Sequence, residues 1–584
     1  MAEAVAVLCS PLVAFYVLRL RPMAPNILAD SNIHTAYIVH PRDFLERYSA
    51  ILRGGAGLRE LGRPGFLVPA HAVYLVVGAV PEFYVMRYVF ALVAVVPTYL
   101  LLRRLYGSPA GVIGIILVMS SPVIVTAWGT DYPDSAVVSY LAGSIACLGL
   151  SLCEGRRRLW LTAAAVFATM ALWSHSVAIP LLAVMIIVYL AVRIATNRDK
   201  LMQDMGIVVC VALGITLVLG LGSELMFGRS DFISLSWSAY RFYSQPVQVD
   251  IWHTSNFSWL SAQPYLLVPP AVIGAWLVIF AHLRRSIPKP QLLVGLICIG
   301  QTVVFSYMQF LGKSWTLEQH YVSSTLFAGV TITLAVILCE LGASFWSLRI
   351  GRWIPPVLVL SVPLIYEAGA HPPSFTSFPI GVVVAALLVA AVGVVQLARR
   401  MAARQVALGV AAIGIVLVVA CMLFLVTTPI AGGSYIPGTA GKDPVPGYDG
   451  ALGGSGAQEL AQYRIATQLP GFVGSASYPG EQLMMWVQPI DSLIALAGMY
   501  HGGVNMLYPV PAPPVINSRG IAEIDARHPA EILILSTQRI DVSLATGVLH
   551  QYQPRIVKYS ELRAGRTVVY AWLVELEVFA SSHR

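Results

Sequence analysis

Runs of about twenty apolar residues recur along this chain, and that recurrence narrows its possible folds more than any other feature. A helix of about twenty residues crosses ~30 Å of hydrocarbon. The runs lie at about 3–20, 84–102, 108–126, 135–153, 159–173, 177–192, 205–227, 260–281, 291–311, 322–343, 353–367, 378–397 and 406–428, thirteen in all. Only 11% of the residues are charged, against about 25% in a soluble domain. The chain therefore reads as a polytopic α-helical membrane protein, not a large soluble one. Its net charge of +8 does not point to nucleic acid, because most of the basic residues sit in short clusters between the apolar runs. The seven cysteines all lie in or beside hydrophobic segments, so neither a disulfide framework nor a C-x-x-C metal site is indicated. Met1–Leu20 lacks a basic leader and a small-residue cleavage site, and reads as a retained helix.

The basic clusters set the orientation. Arg103/Arg104, Arg156/Arg157/Arg158, Arg193/Arg198/Lys200, Arg284/Arg285/Lys289, Arg349/Arg352 and Arg399/Arg400/Arg404 all fall in alternate loops. Placing those loops inside predicts a cytoplasmic N-terminus and puts everything after residue 428 outside. Residues 65–80 are apolar but short, and contain Pro69 and His71. Counting them as a span would invert all the clusters, so they read as an interfacial or re-entrant helix on the outer face. The first outer loop, about 21–83, is itself basic, with Arg42, Arg47, Arg53, Arg59 and Arg63, which suits an anionic lipid head group. Within it, residues 40–53 space Phe44, Leu45, Tyr48 and Ile51 as an amphipathic helix would.

Three regions follow: a membrane domain over 1–429, a Gly/Pro-rich linker over 430–457 and a soluble outer domain over 458–584. In the last, helical pattern at 458–468, 491–500 and 541–551 alternates with strand-like runs at Leu483–Val487, Ile532–Leu535 and Thr567–Leu573, which predicts a small α/β layer. No Gly-rich phosphate loop occurs there.

The outer face collects the polar residues that stand out. Asp30 follows the first helix, with His34 four residues on. Asp131, Tyr132 and Asp134 lie in the turn Trp128-Gly-Thr-Asp-Tyr-Pro-Asp134, His175 in Trp173-Ser-His-Ser176, and Lys313, Glu318, His320 and Tyr321 in a later loop. Plain structural roles compete at each position. Asp131 and Asp134 precede Ser135-Ala-Val-Val, where Asp is a preferred N-cap, a reading that suits Asp134 better than Asp131. His175 also reads as a structural histidine, and Glu318 as an ion-pair partner of Lys313. His34 would share a helical face with Asp30, a weak beginning for a metal site.

These elements together resemble the GT-C superfamily of polytopic lipid-linked glycosyltransferases, and most of all protein O-mannosyltransferases and bacterial aminoarabinose transferases. The resemblance covers most of residues 1–430. It rests on Asp30 after the first helix, the amphipathic loop segment, Asp131-Tyr-Pro133 opening the fourth helix, Arg104-Leu-Tyr-Gly107, about thirteen helices and an outer C-terminal domain. Three positions depart from the family pattern: Ser31 stands where Glu is common, Ser174-His175 where Thr-Lys is common, and His320-Tyr321 where Arg-Tyr is common.

The resemblance implies a multi-pass enzyme of the inner (plasma) membrane. It would move a sugar, with inversion, from a polyprenyl-phosphate donor to an acceptor hydroxyl on a glycan, lipid or protein at the outer face. Asp30 would be the general base and Asp131 would orient the acceptor, share the base role or help hold a divalent cation (Mg, Mn or Ca). His34, Tyr132, Asp134, His175, Lys313, Glu318, His320 and Tyr321 would serve substrate. A lipid or glycan flippase, or a membrane receptor with an outer partner-binding domain, remain alternatives. Transporters commonly show internal repeats and mid-membrane ionisable groups, and neither is evident here.

Overall fold

The computed structural model describes residues 2–17, 34, 37–38, 41–42, 61–129, 133–153, 155–196, 198–243, 266, 268–283, 288–311, 320–346, 465, 468–473, 483–486, 505–506, 514–536, 538–564 and 567–580. Among them, helices follow one another as α1 (Ala2–Val17), α2 (Pro64–Val77), α3 (Ala79–Tyr106), α4 (Ser108–Ser120), α5 (Pro122–Gly129), α6 (Pro133–Ser151), α7 (Arg157–Leu172), α8 (Ala178–Thr196), α9 (Leu201–Phe227), α10 (Phe232–Tyr243), α11 (Val268–Leu283), α12 (Lys289–Phe310), α13 (His320–Ser324) and α14 (Phe327–Trp346). Six stretches of these are long and apolar enough to cross a membrane: Tyr84–Tyr106, Pro133–Ser151, Ala178–Thr196, Arg198–Phe227, Lys289–Phe310 and Val322–Glu340. The runs expected at 353–367, 378–397 and 406–428 lie outside the described residues, as does most of the amphipathic segment at 40–53.

α6 is the hub. Every residue from Pro133 to Ser151 is buried, and α3, α7, α12 and α14 pack around it. Its sequence explains this: Ser135, Ala136, Ser139, Ala142, Gly143, Ser144, Ala146 and Gly149 are small enough to let neighbouring backbones approach. The hydroxyls do not go unsatisfied. Ser139 Oγ donates to Ser135 O at 2.8 Å and Ser144 Oγ donates across to Ala164 O at 3.0 Å.

Two expected features change. The run at 108–126 is broken into α4 and α5 at Ser121, whose backbone is extended (φ −68°, ψ 109°). Pro122 accounts for this, because proline excludes the helical region from the residue before it. Asp134, expected as an N-cap, is the second residue of α6 instead. Pro133 takes the first helical position, where its missing N–H costs nothing.

The short segment at 65–80 is the 14-residue helix α2. At about 21 Å it is too short to span. It joins α3 directly through Gly78.

Charge sorts the two ends of the bundle. At the end bearing Arg103, Arg157 and Arg193, Asp204 is fully buried and accepts from Arg157 Nη1 at 2.5 Å, Arg193 Nε at 2.7 Å and Tyr189 OH at 3.0 Å. There too Tyr106 OH donates to Glu340 Oε2 at 2.7 Å and accepts from Gln291 at 3.3 Å.

The C-terminal region contains a five-stranded sheet, with β1 (Leu483–Trp486), β2 (Asn505–Met506), β3 (Glu531–Ser536), β4 (Pro554–Ala564) and β5 (Thr567–Leu576) in the order β2-β1-β3-β5-β4. β1 is parallel to β2 and β3, whereas β5 is antiparallel to β3 and β4. Both faces are covered. Leu483, Met485, Leu533 and Leu573 pack against Leu469 and Phe472, while Met484, Trp486, Ile532 and Val574 pack against Ile524, Ala545 and Leu549. The strands expected from Leu483, Ile532 and Thr567 are all present. β4 was not anticipated, because its exposed face and its bulge between Ile556 and Lys558 erase the alternation a strand normally shows. Behind the sheet, Tyr552 OH donates to Asp525 Oδ1 at 2.8 Å; burial, reinforced by that carboxylate, pushes its pKa up to about 12.

Candidate active site

The second group of buried ionisable residues lies at the opposite end of the bundle. His34, Arg63, Glu82, Arg87, Asp134 and His175 are all at most 9% exposed. Ionisable groups enclosed in an apolar bundle are costly and mark functional positions by default.

The start of α2 organises this end. Arg63 precedes the helix, and its Nη1 lies 3.2 Å from His34 Nε2. A guanidinium can only donate, so the imidazole nitrogen accepts. The His34 ring meets Phe66 edge-on at 5.8 Å, and a chain of rings continues from Phe66 to Phe90 (6.3 Å), Tyr140 (5.8 Å) and Phe167 (6.4 Å). That ladder ties α2 to α3, α6 and α7. Arg87 is about one turn from Phe90 along α3, and Asp134 about two turns from Tyr140 along α6.

Gly65 presses α2 against the turn after α7. Its N–H donates to Trp173 O at 2.9 Å, and a Cβ at this position would stand 2.4 Å from Met170 O and 2.8 Å from Ser174 Oγ. Only glycine permits that approach. Gly65→Ala is therefore expected to destabilise by about 1–3 kcal/mol through overpacking. A thermal melt of the detergent-solubilised protein reads this, and an unchanged midpoint would refute the contact.

The same turn carries His175, whose Nδ1 accepts from Val177 N at 3.1 Å. Trp173 Nε1 donates to Thr216 Oγ1 at 2.9 Å, and its ring meets Phe232 at 4.9 Å. α9 and α10 are thereby joined to the corner. First-loop residues close it: Tyr37 packs edge-on to Phe227 at 5.7 Å, and His71 Nδ1 donates to Ile38 O at 2.5 Å.

Of the residues expected to act, His34 lies against Arg63 and Phe66 at the start of α2, His175 lies two residues from Trp173, whose carbonyl accepts from Gly65 N in the same turn of α2, and Asp134 opens the hub helix. His320 and Tyr321 begin α13, which packs on α5 and α6, although their side chains lie outside the described set. Asp30, Asp131, Tyr132, Lys313 and Glu318 also lie outside the described residues. Glu82 and Arg87 escaped the sequence reading, and Arg63 was one arginine among several. The signal was present: two opposite charges, Glu82 and Arg87, in the first half of a helix that is otherwise uncharged until Arg103. Among the described residues, no three of His, Cys, Asp and Glu gather as a metal site would require.

Residues 70–221, which include Glu82, Arg87, Asp134 and His175, match the sequence model of the family described as dolichyl-phosphate-mannose-protein mannosyltransferase. The match supports a place in the GT-C group. It agrees with the resemblance carried by Arg104-Leu-Tyr-Gly107 and Asp131-Tyr-Pro133, both inside the matched stretch. Solved structures align over nearly the whole chain at low identity. ArnT from Cupriavidus metallidurans bound to undecaprenyl phosphate is 16% identical, with 97% of each chain covered and a TM-score of 0.46. The oligosaccharyltransferase AglB from Archaeoglobus fulgidus, in complex with an inhibitory peptide and a dolichol-phosphate, is 12% identical, with 91% of this chain and 69% of that chain covered and a TM-score of 0.45. No curated protein matches the chain.

Proposed function

We propose that this protein is an inverting glycosyltransferase that takes a sugar from a polyprenyl-phosphate carrier at the outer face of the inner (plasma) membrane and passes it to an acceptor hydroxyl. The observation that carries the reading is the gathering of buried Arg63, Arg87, His34, His175, Glu82 and Asp134 at one end of an apolar bundle, within and beside the stretch that matches a lipid-linked mannosyltransferase family. A phosphate on a lipid that lies in the bilayer needs cations and hydrogen-bond donors at the bundle end, and a hydroxyl nucleophile needs a carboxylate there.

In this mechanism the acceptor oxygen attacks the anomeric carbon as the bond from that carbon to the phosphate oxygen breaks. The polyprenyl phosphate leaves with the electron pair, and a single displacement inverts the centre. Asp30 takes the hydroxyl proton. Chain connectivity supports that role: four residues separate it from His34, so the two Cα atoms lie within about 14 Å. Asp131 is three residues from Asp134, within about 11 Å, and orients the acceptor. Arg63, Arg87, His175, Lys313 and His320 are assigned to the leaving phosphate, and Tyr132, Glu318, Tyr321 and His34 to the sugar and its surroundings. Asp30, Asp131 and Asp134 are the carboxylates available to a divalent cation (Mg, Mn or Ca).

The membrane domain spans 1–429, with a cytoplasmic N-terminus. The linker is 430–457, and 458–584 forms a periplasmic domain that positions a glycan, lipid or protein acceptor.

Arg63→Ala is expected to weaken use of the lipid donor by about 10- to 100-fold, the worth of one or two charge-assisted hydrogen bonds. The loss should fall on KM for a radiolabelled polyprenyl-phosphate sugar more than on kcat. An Arg63→Ala protein with an unaltered donor KM would remove Arg63 from the phosphate site. If purified protein consumes no such donor with any acceptor, a flippase or receptor gains instead.

A further inference from the structure

The chain segment just beyond α9 has a second surface with a chemistry of its own. α9 is a 27-residue apolar helix, and Leu213, Leu217, Leu221 and Leu225 along it are exposed. Such a face belongs in hydrocarbon. The helix stops at Gly228, which adopts φ +67° and reverses the chain, and α10 begins four residues later. α10 therefore starts at the depth where hydrocarbon gives way to head groups.

α10 has two faces. Phe232 and Ala239 are buried, Phe232 against Trp173, and Ser236 Oγ donates to Gly62 O. On the other side Ile233 is 55% and Trp237 52% exposed. The Arg241 guanidinium lies over the Trp237 ring at 5.2 Å, and the Tyr240 ring stacks on it at 5.5 Å. Positions 233, 237, 240 and 241 share one side of a helix. Indole at this depth, with an apolar body and a wet edge, is the side chain of the bilayer interface.

Arg42 Nη2 donates to Leu225 O at 3.1 Å in the last turn of α9. Among the described residues, Arg241 is the cation that lies over the exposed Trp237 ring, while Arg229 is taken up by Asp231. Leu225 in the last turn of α9 and Ile233 in the first turn of α10 are both exposed, so the lipid that covers α9 is the occupant of this face too, and Arg241 beside Trp237 meets its head group.

The geometry points to α10 as an interfacial helix that seats Ile233 and Trp237 in the outer leaflet and holds anionic phospholipid through Arg241. Because Ser236 and Phe232 grip Gly62 and Trp173, the lipid contact also braces the corner that carries Arg63. The inference rests on the bundle and not on the sugar-transfer reaction.

The test uses the full chain in nanodiscs of phosphatidylcholine, with or without phosphatidylglycerol. Amide hydrogen exchange over 232–243 should slow about five-fold in the anionic discs, the factor one basic residue supplies at such a surface. Arg241→Gln should lose that difference, and Arg241→Lys should keep it. Inorganic phosphate added to neutral discs should not reproduce it. In discs with brominated lipid, the wild type should lose more tryptophan fluorescence than Trp237→Phe. Equal exchange in both disc types, slowing by free phosphate alone, or equal quenching of wild type and Trp237→Phe would each overturn the assignment. The wild-type comparison stands even if a variant fails to fold.

Discussion

Asp30→Asn is expected to lower sugar transfer by about 10²- to 10⁴-fold, the range that a positioned general base contributes. An amide matches the carboxylate in shape but cannot take the proton from an acceptor hydroxyl. Without that transfer, the oxygen attacks as a weak, neutral nucleophile. Expression, detergent extraction and lipid-donor binding should stay at wild-type levels, because the substitution removes one negative charge and no apolar contact. Turnover of a radiolabelled polyprenyl-phosphate sugar, with donor binding measured in parallel, separates the two effects. Wild-type turnover in the variant would remove Asp30 from the mechanism. A joint loss of turnover and binding would move it to the donor site. Under the proposed mechanism Asp131→Asn should behave differently, with its loss chiefly in the acceptor KM.

The second large effect concerns stability and the other end of the bundle. Asp204→Ala is expected to destabilise the protein by about 3–5 kcal/mol, the cost of removing one partner from a buried ion pair. Asp204 holds α7, α8 and α9 together, since Oδ1 takes Arg157 Nη1 while Oδ2 takes Arg193 Nε and Tyr189 OH. Arg193 is only 8% exposed at its side chain, so truncating Asp204 strands a guanidinium away from water. Asp204→Asn retains one acceptor and should cost less. Asp204→Leu with Arg193→Leu should recover part of the loss, because the cation that would be stranded is gone. Scanning fluorimetry in detergent measures all three. Since α9 is about 40 Å long, the folded fraction of Asp204→Ala should keep its specific donor turnover. A melting midpoint equal to wild type would show that the cluster is dispensable.

Asp30 stands out in the sequence because a carboxylate after an apolar helix is rare in a chain with so little charge. Asp204 does not stand out. It sits in a basic loop region, and nothing in the order of residues says that Arg157, Tyr189 and Arg193 converge on it. Glu82 and Arg87 fall between. Each breaks an apolar run, which is visible in sequence, but their burial at the same bundle end as Asp134 depends on how α3 packs on α6. α10 was hidden for another reason: it is a twelve-residue helix, too short to stand out as a membrane span, although its apolar residues do recur at helical spacing.

The sequence by itself determined the class of protein, the alternation of basic loops and, among the described residues, the places of most of the long apolar helices. Hydropathy and charge act over single segments, and each segment must satisfy the bilayer on its own terms. It also showed most strands of the C-terminal sheet, where apolar runs bury both faces. Only the tertiary structure decided which polar residues share a site. Arg63 meets His34, and Gly65 meets Trp173, across long stretches of chain. Such contacts follow from small residues that let particular helices approach, a property of pairs of surfaces that no single segment carries.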